Sequence, residues 1–158
     1  MPPEKRTTSA RHTAILNSYR DDESAFGDWV KENLGDITLT RWSWGEVHLR
    51  WILTKNFIMP DGVMFGGHIA AVADHFVALG AMSVLTHDNE RFRTSRLETN
   101  FFRPLKEPYA DIAVRVTNAS KTLIHLEAQF INEAGQLAAM AQAVQVRRRT
   151  TGDTAKTG

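Results

Sequence analysis

Residues 59–85, MPDGVMFGGHIAAVADHFVALGAMSVL, constrain the chain more than any other stretch. Pro60, Asp61 and Gly62 spell a turn, and Gly66 and Gly67 follow. After them come about five turns of helix built from apolar or small residues, with one acid, Asp74. A helix that is apolar nearly all round is expected to be buried. A carboxylate in its middle then needs a reason, because an unpaired buried charge is costly.

The 3.6-residue period divides this helix into faces. Ile69, Val72, Phe76 and Leu79 form a bulky stripe that calls for a core. Ala70, Ala71, Asp74, Ala78 and Ala81 form a stripe of small residues around the acid, open to a close neighbour or a narrow cleft. The first helical amides lack intrahelical acceptors and attract negative charge. Gly66 and Asp74 are eight residues apart, roughly 12 Å of helical rise. They cannot act on one atom from one chain, so cooperation between them requires a second copy.

The rest of the chain reads as two helices followed by strands. Residues 9–19 and 23–34 have helical patterning, with Ser9 and Asp22 as caps and Gly35 as the stop. Phe26, Trp29, Val30 and Leu34 make an apolar stripe, expected to pack this segment over part of the domain. From residue 37 the period is two. Strands are expected over 37–42, 46–54, 91–103, 110–118, 122–132 and 136–148, separated by short polar turns. Val47, Leu49 and Trp51 share a face, as do Ile112, Val114 and Val116, and Ile124, Leu126, Ala128 and Phe130. Ala138, Met140, Val144 and Val146 take alternate positions of the last strand. Short connections imply antiparallel pairing. An α+β domain in which a long sheet wraps the apolar helix buries both. The expected organisation is a helical extension over 1–36, the main domain over 37–149 and a flexible tail over 150–158, with the first eight residues disordered.

Composition excludes several classes. The chain has 158 residues, a formal net charge of +1 and no cysteine. There is no thiolate metal site, disulfide frame or cysteine nucleophile. No apolar run is long enough to span a membrane, and no signal core is visible; the expected location is cytoplasmic. Arg147, Arg148 and Arg149 lack interleaved aromatics, so nucleic acid is not an expected partner. His68 and His75 lie about 10 Å apart along the helix and cannot share a metal ion. No Gly-x-Ser-x-Gly elbow is present.

The order of strand, Gly-Gly, buried helix with one acid and then four long strands resembles the hotdog fold. More narrowly it is similar to the acyl-CoA thioesterases of that superfamily, including phenylacetyl-CoA thioesterase-like and acyl-CoA hydrolase-like proteins. Their pattern is Asn-x-x-Gly-x-x-(His or Phe)-Gly-Gly with an acid eight residues after the first Gly of the pair. Gly62, Phe65-Gly66-Gly67 and Asp74 match it, and TSRLETNFFRP over 94–104 resembles the strand after the helix. The resemblance covers roughly 37–148. It implies hydrolysis of an aryl or medium-chain acyl-CoA by a homodimer, often a dimer of dimers, without cofactor or metal. Asp74 would be base or nucleophile, and the Gly66 amide of the other chain the oxyanion donor. Thr94 would orient water or the acid, with Ser95 as the less close match. Phe65, Gly67, Met59, Ser95 and Arg103 would contact substrate. A carboxylate in an apolar cleft is poorly solvated and more basic, which suits a general base. The cationic part of the CoA site is expected from Arg91, Arg93, Arg96, Arg103 and Lys106 or from 147–149. Phe65, Phe76, Met82 and Trp51 are candidates for the acyl pocket. The chain departs from the pattern where Met59 replaces the Asn and Phe65 the alternative His, which keeps a non-catalytic acyl-CoA-binding protein in play.

Overall fold

The computed structural model describes residues 6–151. The order of elements is α1 (Ala10–Asp21), α2 (Asp28–Leu34), β1 (Asp36–Ser43), β2 (Glu46–Ile52), α3 (Gly66–Met82), β3 (Glu90–Phe101), β4 (Tyr109–Ala119), β5 (Leu123–Ile131) and β6 (Leu137–Arg149). All six strands form one antiparallel sheet in the order β1-β2-β4-β5-β6-β3. It curls around α3, the α+β hotdog arrangement that a lone apolar helix and a one-faced sheet require.

The helix lays its bulky stripe on the sheet. Ile69, Val72, Phe76 and Leu79 are all buried, and Phe76 meets Trp51 and Phe130 with ring centroids 6.3 and 6.0 Å apart. Each such side chain removed from water contributes about 1.5–3 kcal/mol before the entropy of ordering is subtracted. The Trp51 indole donates to the Leu34 carbonyl at 2.9 Å and thereby ties the end of α2 to this centre. Leu16 of α1 and Leu34 of α2 belong to the same apolar cluster.

Several local expectations change. The segment 23–34 is not one helix: a single 3-10 turn (Glu23–Phe26) and α2 are separated by Gly27 at φ 86°, where a residue with a side chain is disfavoured. Trp29 points outward, 67% exposed. Thr8, expected to be disordered, is buried and donates to the Ser83 carbonyl at 2.6 Å; residues 1–5 lie outside the described residues. At the other end Thr150 donates its amide to the Asn89 carbonyl at 2.9 Å, and the remainder of the expected tail, 152–158, is likewise outside.

The inner face of β6 is the opposite of the one its aliphatic residues suggest. Ala139, Ala141, Ala143, Gln145 and Arg147 are buried, while Val146 is 43% exposed. Alanines line the concave side there, and the two polar residues that share it disguise the period. Arg147 is consequently not part of a surface cation cluster. It is buried with Glu90, its Nη2 2.6 Å from Oε1. Among the described residues no helix is long and apolar enough to cross a membrane.

Candidate active site

Most of the small-residue stripe of α3 is left uncovered by the sheet; Ala81, expected to belong to it, is instead fully buried in the core. With β3 and the end of α2 the stripe encloses an open cleft of about 840 Å³, lined by Gly67, Ala70, Ala71, Asp74, His75 and Ala78 of α3. Trp29 and Leu34, then Phe92, Arg93, Thr94 and Leu97, and finally Gln145 complete the walls. Asp74 is exposed here, because alanines on either side do not reach over it. The expectation of a helix buried nearly all round is thus corrected: within one protomer α3 is buried mainly on its bulky side, and Asp74 faces a cleft.

Asp74 has a specific partner. Thr94 donates from Oγ1 to Asp74 Oδ1 at 2.7 Å, and Gln145 donates from Nε2 to Thr94 Oγ1 at 2.9 Å. Backbone register produces this chain: Thr94 and Gln145 are directly opposed in the β3–β6 ladder. A bulge at Ser95 changes the parity of β3. Before it, Phe92 and Thr94 face α3; after it, Leu97 and Thr99 do. Ser95 is the extra residue of the bulge, and its hydroxyl donates to the Val144 carbonyl at 3.1 Å, away from the acid.

At its N-terminus α3 begins at Gly66 with Phe65 as N-cap and no side-chain cap. The Gly66 and Gly67 amides have no acceptor among the described residues, so the first turn is an open donor site. A Cβ on Gly66 would stand 3.3 Å from the Phe101 ring, and one on Gly67 2.7 Å from the Phe65 ring. Glycine keeps the amides approachable between two exposed aromatic rings, Phe65 at 57% and Phe101 at 53%.

Of the residues singled out from sequence, Asp74, Thr94 and Gly67 meet in the cleft. Gly66 and Phe65 sit at the helix end beside it. Met59 lies in the preceding turn, accepting from the Gly62 amide at 2.9 Å, and Arg103 donates to the Leu137 carbonyl at 3.0 Å; neither lines the cleft. Trp51 and Phe76 belong to the core and cannot line an acyl pocket. Met82 lines a separate groove with Arg11, Ile15 and Arg91. Gln145, His75 and Trp29 are cleft residues the pattern did not supply, and Arg93, one of the cations expected near coenzyme A, joins them there. A glutamine among the alternating apolar positions of a strand was the available signal for the first.

His75 and Phe26 meet edge to face, with ring centroids 5.9 Å apart, and the His75 Nε2 is buried without a partner among the described residues. Burial holds its pKa below the ordinary imidazole value, with the neighbouring Asp74 pulling the other way. His68 stacks on Phe57 at 3.8 Å and is lowered by burial as well.

A helix enclosed by a six-stranded antiparallel sheet, with a free N-terminal turn and an acid facing a cleft two turns on, defines a hotdog protein with a carboxylate site. Residues 61–139 match the sequence model of the Thioesterase superfamily, and the chain belongs to that family. No curated protein matches it in sequence. Among solved structures, a thioesterase of Pseudomonas aeruginosa superposes with a TM-score of 0.73 at 12% identity, over 92% of this chain and 100% of that one. A thioesterase family protein of Silicibacter pomeroyi gives 0.72 at 17% identity, over 85% and 99%. A hypothetical thioesterase of Streptococcus pneumoniae, solved with coenzyme A, gives 0.68 at 13% identity, over 77% and 92%.

Proposed function

We propose that the protein hydrolyses a thioester of coenzyme A, aryl or medium-chain acyl, as a homodimer in which each site draws on both chains. The observation that carries this reading is the Asp74 carboxylate, held by Thr94 at 2.7 Å on the wall of an open cleft. Thr94 occupies Oδ1 and leaves Oδ2 to face a water. In the forward step Oδ2 accepts a water proton while the water oxygen bonds the thioester carbonyl carbon. The carbonyl oxygen becomes an oxyanion. When the tetrahedral species collapses, the carbon–sulfur bond breaks and the thiolate takes the proton back from Asp74. A backbone donor for the oxyanion is worth about 10²–10³ in kcat. The unengaged Gly66 amide at the start of α3 suits that role. Since it lies roughly 12 Å along the helix from Asp74, it serves the Asp74 of a second protomer. The open stripe Ala70, Ala71 and Ala78 permits close approach of that protomer, and covering it would withdraw the exposed carboxylate from bulk water. Gly67 and Phe65 at the helix start, with Arg93 on the cleft wall, are placed to contact substrate; Met59, Ser95 and Arg103 are assigned lesser contacts at most.

The coenzyme A and acetyl-CoA complexes of the streptococcal neighbours support the choice of thioester, though at 13% and 16% identity they speak for those proteins. A second reading, binding without hydrolysis, is favoured by one observation. Met59 and Phe65 bring no polar side chain to the helix end, where the family pattern has one. Thiol release from phenylacetyl-, benzoyl-, hexanoyl- and decanoyl-CoA separates the two. Turnover on any of them supports the enzyme; calorimetric binding with no turnover supports the binder.

A further inference from the structure

The hydrogen-bond chain through Thr94 ends on a group with no obvious structural reason to be there. Gln145 is fully buried, on a β6 face otherwise built of alanines as far as Arg147. Its Nε2 donates to Thr94, and its Oε1 has no hydrogen-bond partner among the described residues. An orphaned buried amide oxygen is costly, and a methionine or leucine of similar volume would fill the site without it. The amide is therefore not explained by packing.

Proton counting explains it. Thr94 has one hydroxyl proton, and an ionised Asp74 can only accept. With Oγ1 and Oδ1 2.7 Å apart, that proton lies on the Asp74 side. The atom of Gln145 that meets Oγ1 at 2.9 Å must then be a donor, which fixes the amide orientation as nitrogen toward Thr94 and leaves Oε1 orphaned. The direction is one-way: amide to hydroxyl to carboxylate. We infer that Gln145 is a positioning residue, whose amide commits the Thr94 proton to Asp74 Oδ1 and so presents Oδ2 alone to the attacking water. This rests on the reading of Asp74 as the base. Without Gln145 the hydroxyl is free to rotate, the carboxylate loses its fixed plane, and both oxygens compete for the water.

The test is a double-mutant cycle on Gln145→Met, Thr94→Val and the pair, read in steady-state hydrolysis and in the NMR signal of the Thr94 hydroxyl proton. Gln145→Met is expected to lower kcat by about tenfold to a hundredfold, the loss typical of slight misplacement, with KM unchanged. In the Thr94→Val background it should have no further effect, because Gln145 acts through Thr94. Gln145→Glu places an acceptor beside Oγ1 and should not rescue. In wild type the hydroxyl proton should be protected from exchange, and in Gln145→Met it should exchange with solvent. Additive losses in the cycle, or protection that survives Gln145→Met, would overturn the inference and reduce Gln145 to packing. If wild type turns over no thioester, the enzymatic reading fails separately, and hydroxyl protection alone then decides for or against the Gln145 chain.

Discussion

Thr94 Oγ1 sits 2.7 Å from Asp74 Oδ1, joining a strand to a helix twenty residues earlier in the chain. The bulge at Ser95 makes this possible, since a regular strand could not turn Thr94, Leu97 and Thr99 to the same side. The contact is charge-assisted and directional. Thr94→Val keeps the shape and removes the donor. It should lower kcat by roughly tenfold to a hundredfold with little change in KM, and Thr94→Ser should recover most of the loss. Initial rates over a range of substrate concentration check both.

Sharing of the site between two protomers has a direct consequence. Proline is tolerated at the first position of a helix and has no N–H. Gly66→Pro therefore deletes the proposed oxyanion donor while α3 persists, with Phe101 swinging aside from the new ring. Turnover should fall by about 10²–10³. Mixing Gly66→Pro with Asp74→Asn under conditions of subunit exchange should restore part of the activity, because one site of each mixed dimer is then intact. Absence of recovery despite exchange, followed by native mass spectrometry, would place both groups in one chain.

Gly80 measures how closely α3 approaches the sheet. A Cβ there would stand 2.6 Å from Val114 Cγ1 and 2.8 Å from Leu126 Cδ2, both core side chains. Gly80→Ala gains helix propensity but overpacks the core, and the second effect should win, destabilising the fold by about 1–3 kcal/mol. Chemical denaturation of the two proteins side by side gives the sign.

Acid should weaken the fold through its buried imidazoles. Burial lowers the pKa of His75, of His68 and, together with Arg11, of His12 below the ordinary 6.5. Between the lowered folded values and 6.5 the unfolded chain binds more protons than the folded one. These histidines therefore leave stability intact above about pH 6.5 and remove it as the pH falls below that value. The denaturation midpoint should drop between about pH 7.5 and about pH 5.5, and less steeply in His75→Phe. An unchanged or rising midpoint would contradict the burial of these rings.

Much of this was legible in the sequence. The Gly-Gly start, the bulky stripe of α3 and the alternation in β2, β4 and β5 are strong periodic signals, and these apolar faces are buried as expected except at Val116, which is half-buried toward the end of β4. Asp74 stood out as the one acid in an apolar helix, and the resemblance to the acyl-CoA thioesterases implied Thr94. What escaped was set by tertiary context. The parity of β6 was hidden because its inner face carries alanines, a glutamine and an arginine while valines face out. The role of Gln145 depends on cross-strand register, and register is not written within one strand. Arg147 read as surface charge, and only its pairing with Glu90 explains its burial. Gly27 breaks the second helix through a positive φ that composition alone did not announce.

The most direct test of the account is thiol release from acyl-CoA substrates by Asp74→Asn beside wild type, with sedimentation and circular dichroism on both. The amide keeps the volume of the carboxylate and can still accept from Thr94, but it cannot take a proton from water. The account predicts turnover in wild type and a loss of at least about 10²-fold in the variant, with fold and oligomeric state unchanged. Equal turnover in the two proteins would contradict it and remove Asp74 from the chemistry.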